Sequence, residues 1–416
     1  MKIVMICEFF NEGLEFQENL LAEYYVRNGH EVVIIASTFE SVFDYYTDRH
    51  NASAPARTFT HNGFKVMKLR YRYNLLNRLR AYTPIYGILE REKPDLIFVH
   101  DIIPNFPEMV RYVKRHPACR MIMDYHADYS NSGANWLSLK VLHGVLRRRI
   151  LDHARPHLQK IFPVVPAGVT FLEEVYGVPR DEMELLPLGT DLEFGAEIES
   201  SGARDEVRAE LGIPAEAFVV FTGGKLEPRK LTECLFEGLG QLGRAEAHVI
   251  VVGTAADPEY RAQLTAAAEG INAHFVGWQD KRGAYRHIAA ADIAVFPASQ
   301  SVLWQQSLGM GLPIIVSERS ELINWHRQEV DYLNRHDNVI VLDHERPLAG
   351  QIAGHLGRMM DDAVELSRRS DGARRTAAEI LDWNKLIQRT LRFNLTDAAD
   401  CSGTSDSHSG TTGLCR

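Results

Sequence analysis

At 416 residues the chain is too long for one hydrophobic core, and 45% hydrophobic with 24% charged residues excludes a disordered or fibrous protein. A net charge of −9, with no helix-turn-helix or finger spacing, argues against nucleic-acid binding. The charge is uneven: residues 65–160 carry 18 Lys/Arg against 8 Asp/Glu, so an acidic protein holds one basic region that faces either an anion or solvent.

Lys2–Cys7 reads as a buried strand. A polar loop with Gly13 follows, then a helix from about Phe16 to Arg27, closed by Asn28-Gly29-His30, and a strand Glu31–Ala36. The opening lacks the apolar core and cleavage site of a signal peptide, no run approaches the ~18–20 apolar residues of a membrane span, and the five cysteines have neither CxxC nor metal-ligand spacing. The expectation is a cytoplasmic protein with reduced thiols and no bound metal.

The βαβ opening predicts a parallel, Rossmann-like sheet. Thr38–Asn62 is polar and irregular. Asp95–His100 and Arg120–Tyr125 are strands ending at His100-Asp101 and at His126, where ligands of open α/β sheets bind. Two segments interleave basic and apolar residues as a surface-binding helix would: Met67–Tyr82 and Lys140–His157, the latter within a helix from about Trp136 to Gln159. An ordinary solvated face is the competing reading of both. Ile161–Val165, a helix through Tyr176 and a strand-like Glu184–Leu188 complete a first domain, residues 1–195, and the polar stretch 196–214 reads as a linker.

A second domain, 215–378, repeats the alternation with strands at Phe218–Thr222, His248–Val252, Ala273–Val276, Ile293–Phe296 and Pro313–Ser317. In FVVFTGGKLEPRK the strand stops at Gly223-Gly224, and Lys225, Arg229 and Lys230 follow before the next helix. Strand, glycine turn and helix start put backbone N–H groups and positive charge where a diphosphate can sit; a plain βα turn with solvated lysines reads equally well. Gly253 ends the next strand in the same way. A crossover helix at 379–395 and a Ser/Thr/Gly-rich, disordered tail at 396–416 close the chain.

Taken in order, MKIVMIC, GLEFQENLLAEYYVRNGHEVVII, VHD, DYHADY, YGVPRDEMELLPLGTD, GGKLEPRK, VVGTA, ADIAVFPAS and GLPIIVS resemble the GT-B-fold retaining glycosyltransferases of family 4 over residues 1–393. The resemblance implies two Rossmann-like domains facing a cleft, with a C-terminal helix crossing back to the first. It implies a nucleoside-diphosphate sugar as donor, held by the second domain, and a sugar, lipid-linked or other hydroxyl acceptor held by the first. It implies front-face substitution with no metal or other cofactor. By the same resemblance Lys225 and Lys230 hold the donor diphosphate, Gly13, Gly224 and Gly253 approach it, and His126 contacts the donor sugar near the reacting centre. Asp128 and Asn131 fall on the acceptor side, and Trp278 falls at the nucleobase, where core packing is the other reading. Relatives reach lipid-linked acceptors at anionic membranes through basic helices, which implies a place on the inner face of the membrane.

Two departures stand out. Lys225 replaces an arginine and loses its bidentate fork. Gln306 stands where the family has a glutamate on the ribose, and Gln300 or Ser301 fills the place of the glutamate on the donor sugar. A neutral amide gives about 1 kcal/mol where a charged group gives about 1.5–3 kcal/mol. Two other functions therefore stay open: a GT-B-fold sugar-nucleotide epimerase, and a catalytically silent nucleotide-sugar binder.

Overall fold

The computed structural model describes residues 1–12, 17–39, 55–75, 78–129, 131–133, 135–298, 301–317 and 330–392. The chain forms two α/β domains. In the first, β1 (Lys2–Ile6), β2 (Glu31–Ser37), β3 (Arg57–His61), β4 (Phe64–Leu69), β7 (Leu96–His100), β8 (Arg120–Tyr125) and β9 (Ile161–Pro163) form one sheet in the order β3-β4-β2-β1-β7-β8-β9. All its pairs are parallel except the edge pair β3–β4. In the second, β10 (Phe218–Gly223), β11 (Ala247–Val252), β12 (Asn272–Gly277), β13 (Ile293–Phe296), β14 (Ile314–Ser317) and β15 (Val339–Leu342) run parallel in the order β12-β11-β10-β13-β14-β15. Strands such as IVMI and VVIIA are apolar at consecutive positions because helices cover both faces of each sheet.

Helix α1 (Gln17–Arg27) lies behind β1 and buries Leu20, Leu21, Tyr24 and Tyr25. After the second domain, helix α2 (Trp383–Leu391) returns to the first, adding Leu386, Ile387 and Leu391 to that same cluster. Its fixed points are a hydroxyl pair between Tyr25 and Thr390 and the ion pair Arg389 Nε–Glu184 Oε1 at 2.8 Å. Where the chain crosses, buried Trp383 covers Gly189 so closely that a methyl group there would come within 2.7 Å of the indole, and Thr190 N donates to Leu381 O at 2.8 Å.

Three local expectations change. The supposed linker is helical, Leu192–Ser200 and Ala203–Glu210, and packs Ile198, Ala203 and Val207 into the second domain's core. Part of the stretch expected to be irregular is ordered as β3, pairing with β4; residues 40–54 within it lie outside the described residues. The basic segment Met67–Tyr82 is not a helix: it finishes β4 and forms the hairpin β5 (Tyr71–Leu75) with β6 (Leu79–Tyr82). Its Tyr-Arg-Tyr alternation has the period of two that a strand uses. Glu184–Leu188 is extended, with Glu184 N and Leu186 N bonding Ile161 O and Pro163 O alongside β9. The tail 396–416 lies outside the described residues.

Candidate active site

In an open parallel sheet, the loops beyond the strand ends part where the strand order reverses, and that crevice receives the ligand. Here both crevices open into one cleft of about 1100 Å³ between the domains. The first domain supplies Cys7 and Glu8 after β1, His100 and Asp101 at the end of β7, and His126 after β8. The second supplies Gly224 and Lys225 after β10, Gly253 after β11 and Trp278 after β12. Ser301 and Gln306 come from the start of helix α3 (Leu303–Gly309), which follows β13, and from its first turns.

The cradle is built of backbone. Gly224 has φ 111° and Gly253 φ 127°, both in the left-handed half of the map that side chains disfavour. Gly224 N donates to Val252 O at 2.8 Å and Gly253 N to Gly277 O at 2.7 Å, so the loops after β10, β11 and β12 are laced together beneath the cleft. A Cβ on Gly253 would overlap the Gly224 carbonyl oxygen and stand 2.9 Å from its carbonyl carbon. Lys225 is half-exposed at the rim and pairs with Glu227 at 2.5 Å. Lys230 ends the turn Pro228–Lys230, half-buried and outside the cleft lining. Burial, with Arg229 beside it, pushes its ammonium down to about 8.

Ser301 Oγ accepts from Leu303 N at 3.3 Å, and Gln306 Oε1 is buried without a hydrogen-bond partner among the described residues. Trp278 is 60% exposed and lines the cleft, so its indole is available to a ligand rather than spent on the core; Trp304, 1% exposed, is core. Gly13 and Gln300 lie outside the described residues.

On the opposite wall His126 Nε2 lies 3.2 Å from Asp124 Oδ2, and His100 Nδ1 lies 2.8 Å from the same oxygen. Burial alone would raise the Asp124 carboxyl, but the two imidazoles outweigh it and hold it well below the usual range. Among the described residues these three are the set whose ligand-type atoms lie within 4.8 Å of one another, as a metal site would require. Asp128 and Asn131 do not line the cleft. Asn131 Nδ2 donates to His126 O at 3.0 Å and Asp128 N donates to Asn131 Oδ1 at 3.0 Å, so the pair shapes the turn that carries His126.

Several cleft residues carry no warning in the sequence. Lys281 reaches the cleft from helix α4 (Lys281–Ala289) and bonds Asp191 at 3.0 Å, and Asp191 also accepts from Tyr24 of α1 at 2.7 Å. Glu18 lines it from α1, its carboxyl raised by burial against the pull of His100 and His126. Behind the cleft wall, Asp124 does leave a trace in the sequence, a carboxylate inside the otherwise apolar run MIMDY.

Family models agree with this geometry. Residues 13–194 match the model described as Glycosyltransferase Family 4, and residues 217–345 match Glycosyl transferases group 1. The chain is a GT-B glycosyltransferase of the family 4 type. No curated protein sequence matches it. Solved structures do. Anabaena HepE in complex with UDP is similar at 16% identity, TM-score 0.63, over 94% of this chain and 98% of that one. A glycosyltransferase from Rickettsia africae is similar at 12% identity and TM-score 0.67, over 94% and 97%. WaaG, a glycosyltransferase involved in lipopolysaccharide biosynthesis, is similar at 14% identity and TM-score 0.56, over 94% and 99%. At such identities the likeness carries the GT-B fold, while the family models carry sugar transfer.

Proposed function

We propose that the protein is a retaining, hexosyltransferase-like enzyme that moves a sugar from a nucleoside-diphosphate donor to an acceptor hydroxyl without a metal, in the synthesis of a polysaccharide, glycolipid or glycoconjugate. The observation that carries this reading is one cleft with a backbone cradle and Lys225 on one wall and His126 on the other. UDP and UDP-glucose in the HepE complexes support a uridine nucleotide as the first donor class to try. As the glycosidic bond breaks, charge grows on the diphosphate, and fixed N–H groups and lysines stabilise it there as a divalent ion would. The departing phosphate then takes the acceptor's proton.

Incubation with a panel of nucleotide sugars tests this, with the product anomer read by NMR. Transfer with retention, unchanged by EDTA, is expected. Inversion, or loss of rate in EDTA that a metal restores, refutes the corresponding part. Release of an altered free sugar would identify an epimerase, and binding without turnover a silent binder.

The acceptor side adds a surface. Leu75 on the hairpin is 56% exposed, Trp136 just before the long helix is 71% exposed, and Leu137, its first residue, is 63% exposed. The helix is π-type over Leu137–Arg147, and Leu137, Val141 and Val145 recur every fourth residue on one face. Arg147 turns inward, to the Arg78 carbonyl at 3.0 Å and Asp101 at 3.7 Å, and so ties hairpin to helix. Among the described residues no helix is long and apolar enough to cross a membrane. An apolar patch within the basic region supports peripheral docking on the inner, anionic face of a membrane, from a cytoplasmic protein. Co-sedimentation with vesicles of anionic lipid at low salt is expected; no binding there sinks the membrane reading.

A further inference from the structure

Asp124 is fully buried at the end of β8, where an ionised carboxylate is costly unless positive charge meets it. Among the described residues no Lys or Arg forms an ion pair with it. Two imidazoles do, both at Oδ2: His100 Nδ1 at 2.8 Å and His126 Nε2 at 3.2 Å. The two rings are placed differently. His100 is buried, stacked on Phe98 with ring centroids 4.8 Å apart, and its Nε2 has no hydrogen-bond partner among the described residues. His126 is 37% exposed in its side chain and faces the cleft.

We propose that Asp124, which does not itself line the cleft, is a positioning residue for sugar transfer: it holds His126 as an imidazolium, Nε2 on the carboxylate and Nδ1 left for the bound substrate. The proposal rests on the transferase reading above. His100 braces the carboxylate from the buried side and so fixes the direction in which His126 is held.

Three carboxylates facing His126 favour the proton, while Arg147 offsets part of the Asp101 charge at 3.7 Å. Asp124 comes from β8, Asp101 from the end of β7 and Glu18 from α1; the His100 ring, 6.1 Å away between centroids, shares the Asp124 oxygen with His126. Burial pulls the ring down, but the Asp124 charge 3.2 Å away, with Asp101 and Glu18 behind it, raises it to about 9. The imidazolium is then a fixed positive charge on the wall opposite Lys225, across the space where a diphosphate departs. A neutral ring would supply a hydrogen bond there but no charge.

The test uses the full chain, with ¹³C-labelled histidine, titrated by NMR in EDTA; His126→Gln assigns the resonance. The wild-type His126 midpoint is expected near 9, and Asp124→Asn is expected to drop it to the ordinary value of about 6.5 or lower. At pH 8 the protonated fraction then falls about 30-fold. We expect kcat to fall by about the same factor, donor KM to move less than about threefold, and activity to recover on lowering the pH towards about 5.5. Asp124→Glu should restore part of the midpoint. A wild-type midpoint at or below about 6.5 overturns the proposal even if the Asn variant folds poorly. An unmoved midpoint in a folded Asn variant also overturns it, as does a moved midpoint with unchanged kcat. The titration needs no substrate: if no nucleotide sugar is turned over while the midpoint behaves as expected, the transferase reading falls and the Asp124–His126 charge pair stands.

Discussion

Gly253→Ala, set against Gly224→Ala, tests whether the cradle is two loops built on each other. Both glycines have positive φ, 127° and 111°, so alanine at either place costs about 1–2 kcal/mol of backbone strain. Space separates them. A methyl on Gly224 meets Ser301 Oγ at 3.4 Å and Leu303 Cδ1 at 3.9 Å, ordinary contacts with side chains. A methyl on Gly253 overlaps the Gly224 carbonyl oxygen and stands 3.2 Å from the Gly224 nitrogen, which is backbone and cannot rotate away. Overpacking of this kind adds about 1–3 kcal/mol, giving about 2–5 kcal/mol at Gly253 against about 1–2 kcal/mol at Gly224. The loop that must yield also carries Lys225, so the displacement reaches the diphosphate. We expect Gly253→Ala to lower the second domain's melting temperature by on the order of 10 °C, and Gly224→Ala by a few degrees. UDP affinity, read by calorimetry, should fall at least about tenfold in Gly253→Ala, the equivalent of about 1.4 kcal/mol. Equal behaviour of the two variants, or a milder effect at Gly253, would falsify the stacked-loop account.

Lys230→Ala should keep the fold and cut sugar transfer by roughly a hundredfold, the scale of losing one charge-stabilising donor; near-normal activity removes Lys230 from the site. Because burial holds its ammonium at about 8, the free enzyme loses this charge as pH rises through that value, so UDP binding should weaken between pH 7 and 9.5 and do so less in the alanine variant. Folding stability should also depend on pH through the buried pair. Asp124 is depressed, so its contribution is present above the unfolded value of about 3.9 and is lost as acid overtakes the folded one. His126 is raised, so its contribution is complete below about 6.5 and is lost as pH climbs through about 9. Urea melts should give this pair's largest effect between about pH 4 and 6.5, and a wild-type profile identical to that of Asp124→Asn would contradict it. Trp383→Ala should cost about 3–5 kcal/mol and expose the junction to limited proteolysis, since the indole fills the space above Gly189.

The sheets and the cradle were legible because their signals are local. Runs such as FVVFTGG and VVGTA carry a buried strand and its glycine stop in one window. The hairpin at Tyr71–Tyr82 was hidden by its arginines, which suit a basic helix face as well as the exposed side of a strand. The helices at 192–210 were hidden by polarity, since few of their residues reach the core. In the site, strand ends pointed to His126, but nothing local tells that Asp124 stands between it and His100. That contact belongs to neighbouring strands 24 residues apart in sequence, brought into register as His100 beside Asp124. Lys281 and Glu18 escaped for the same reason: each joins the cleft only once the two domains face each other.

The chain passes between the domains twice, and the two passages touch. Thr190 bonds Leu381 and bridges to Asp382, side by side and in parallel, while Trp383 locks onto Gly189. One such tether would leave the domains free to swivel and twist. Two strands fastened together at the same spot act as a door's edge: sliding one domain past the other would break the bond between them, whereas swinging about that line leaves it intact. A rotation about this edge is thus the motion of the cleft that costs these contacts least. Asp191, next to that edge, ties Tyr24 of the first domain to Lys281 of the second. His126 and Lys225 line the cleft from the two domains that these joined passages connect.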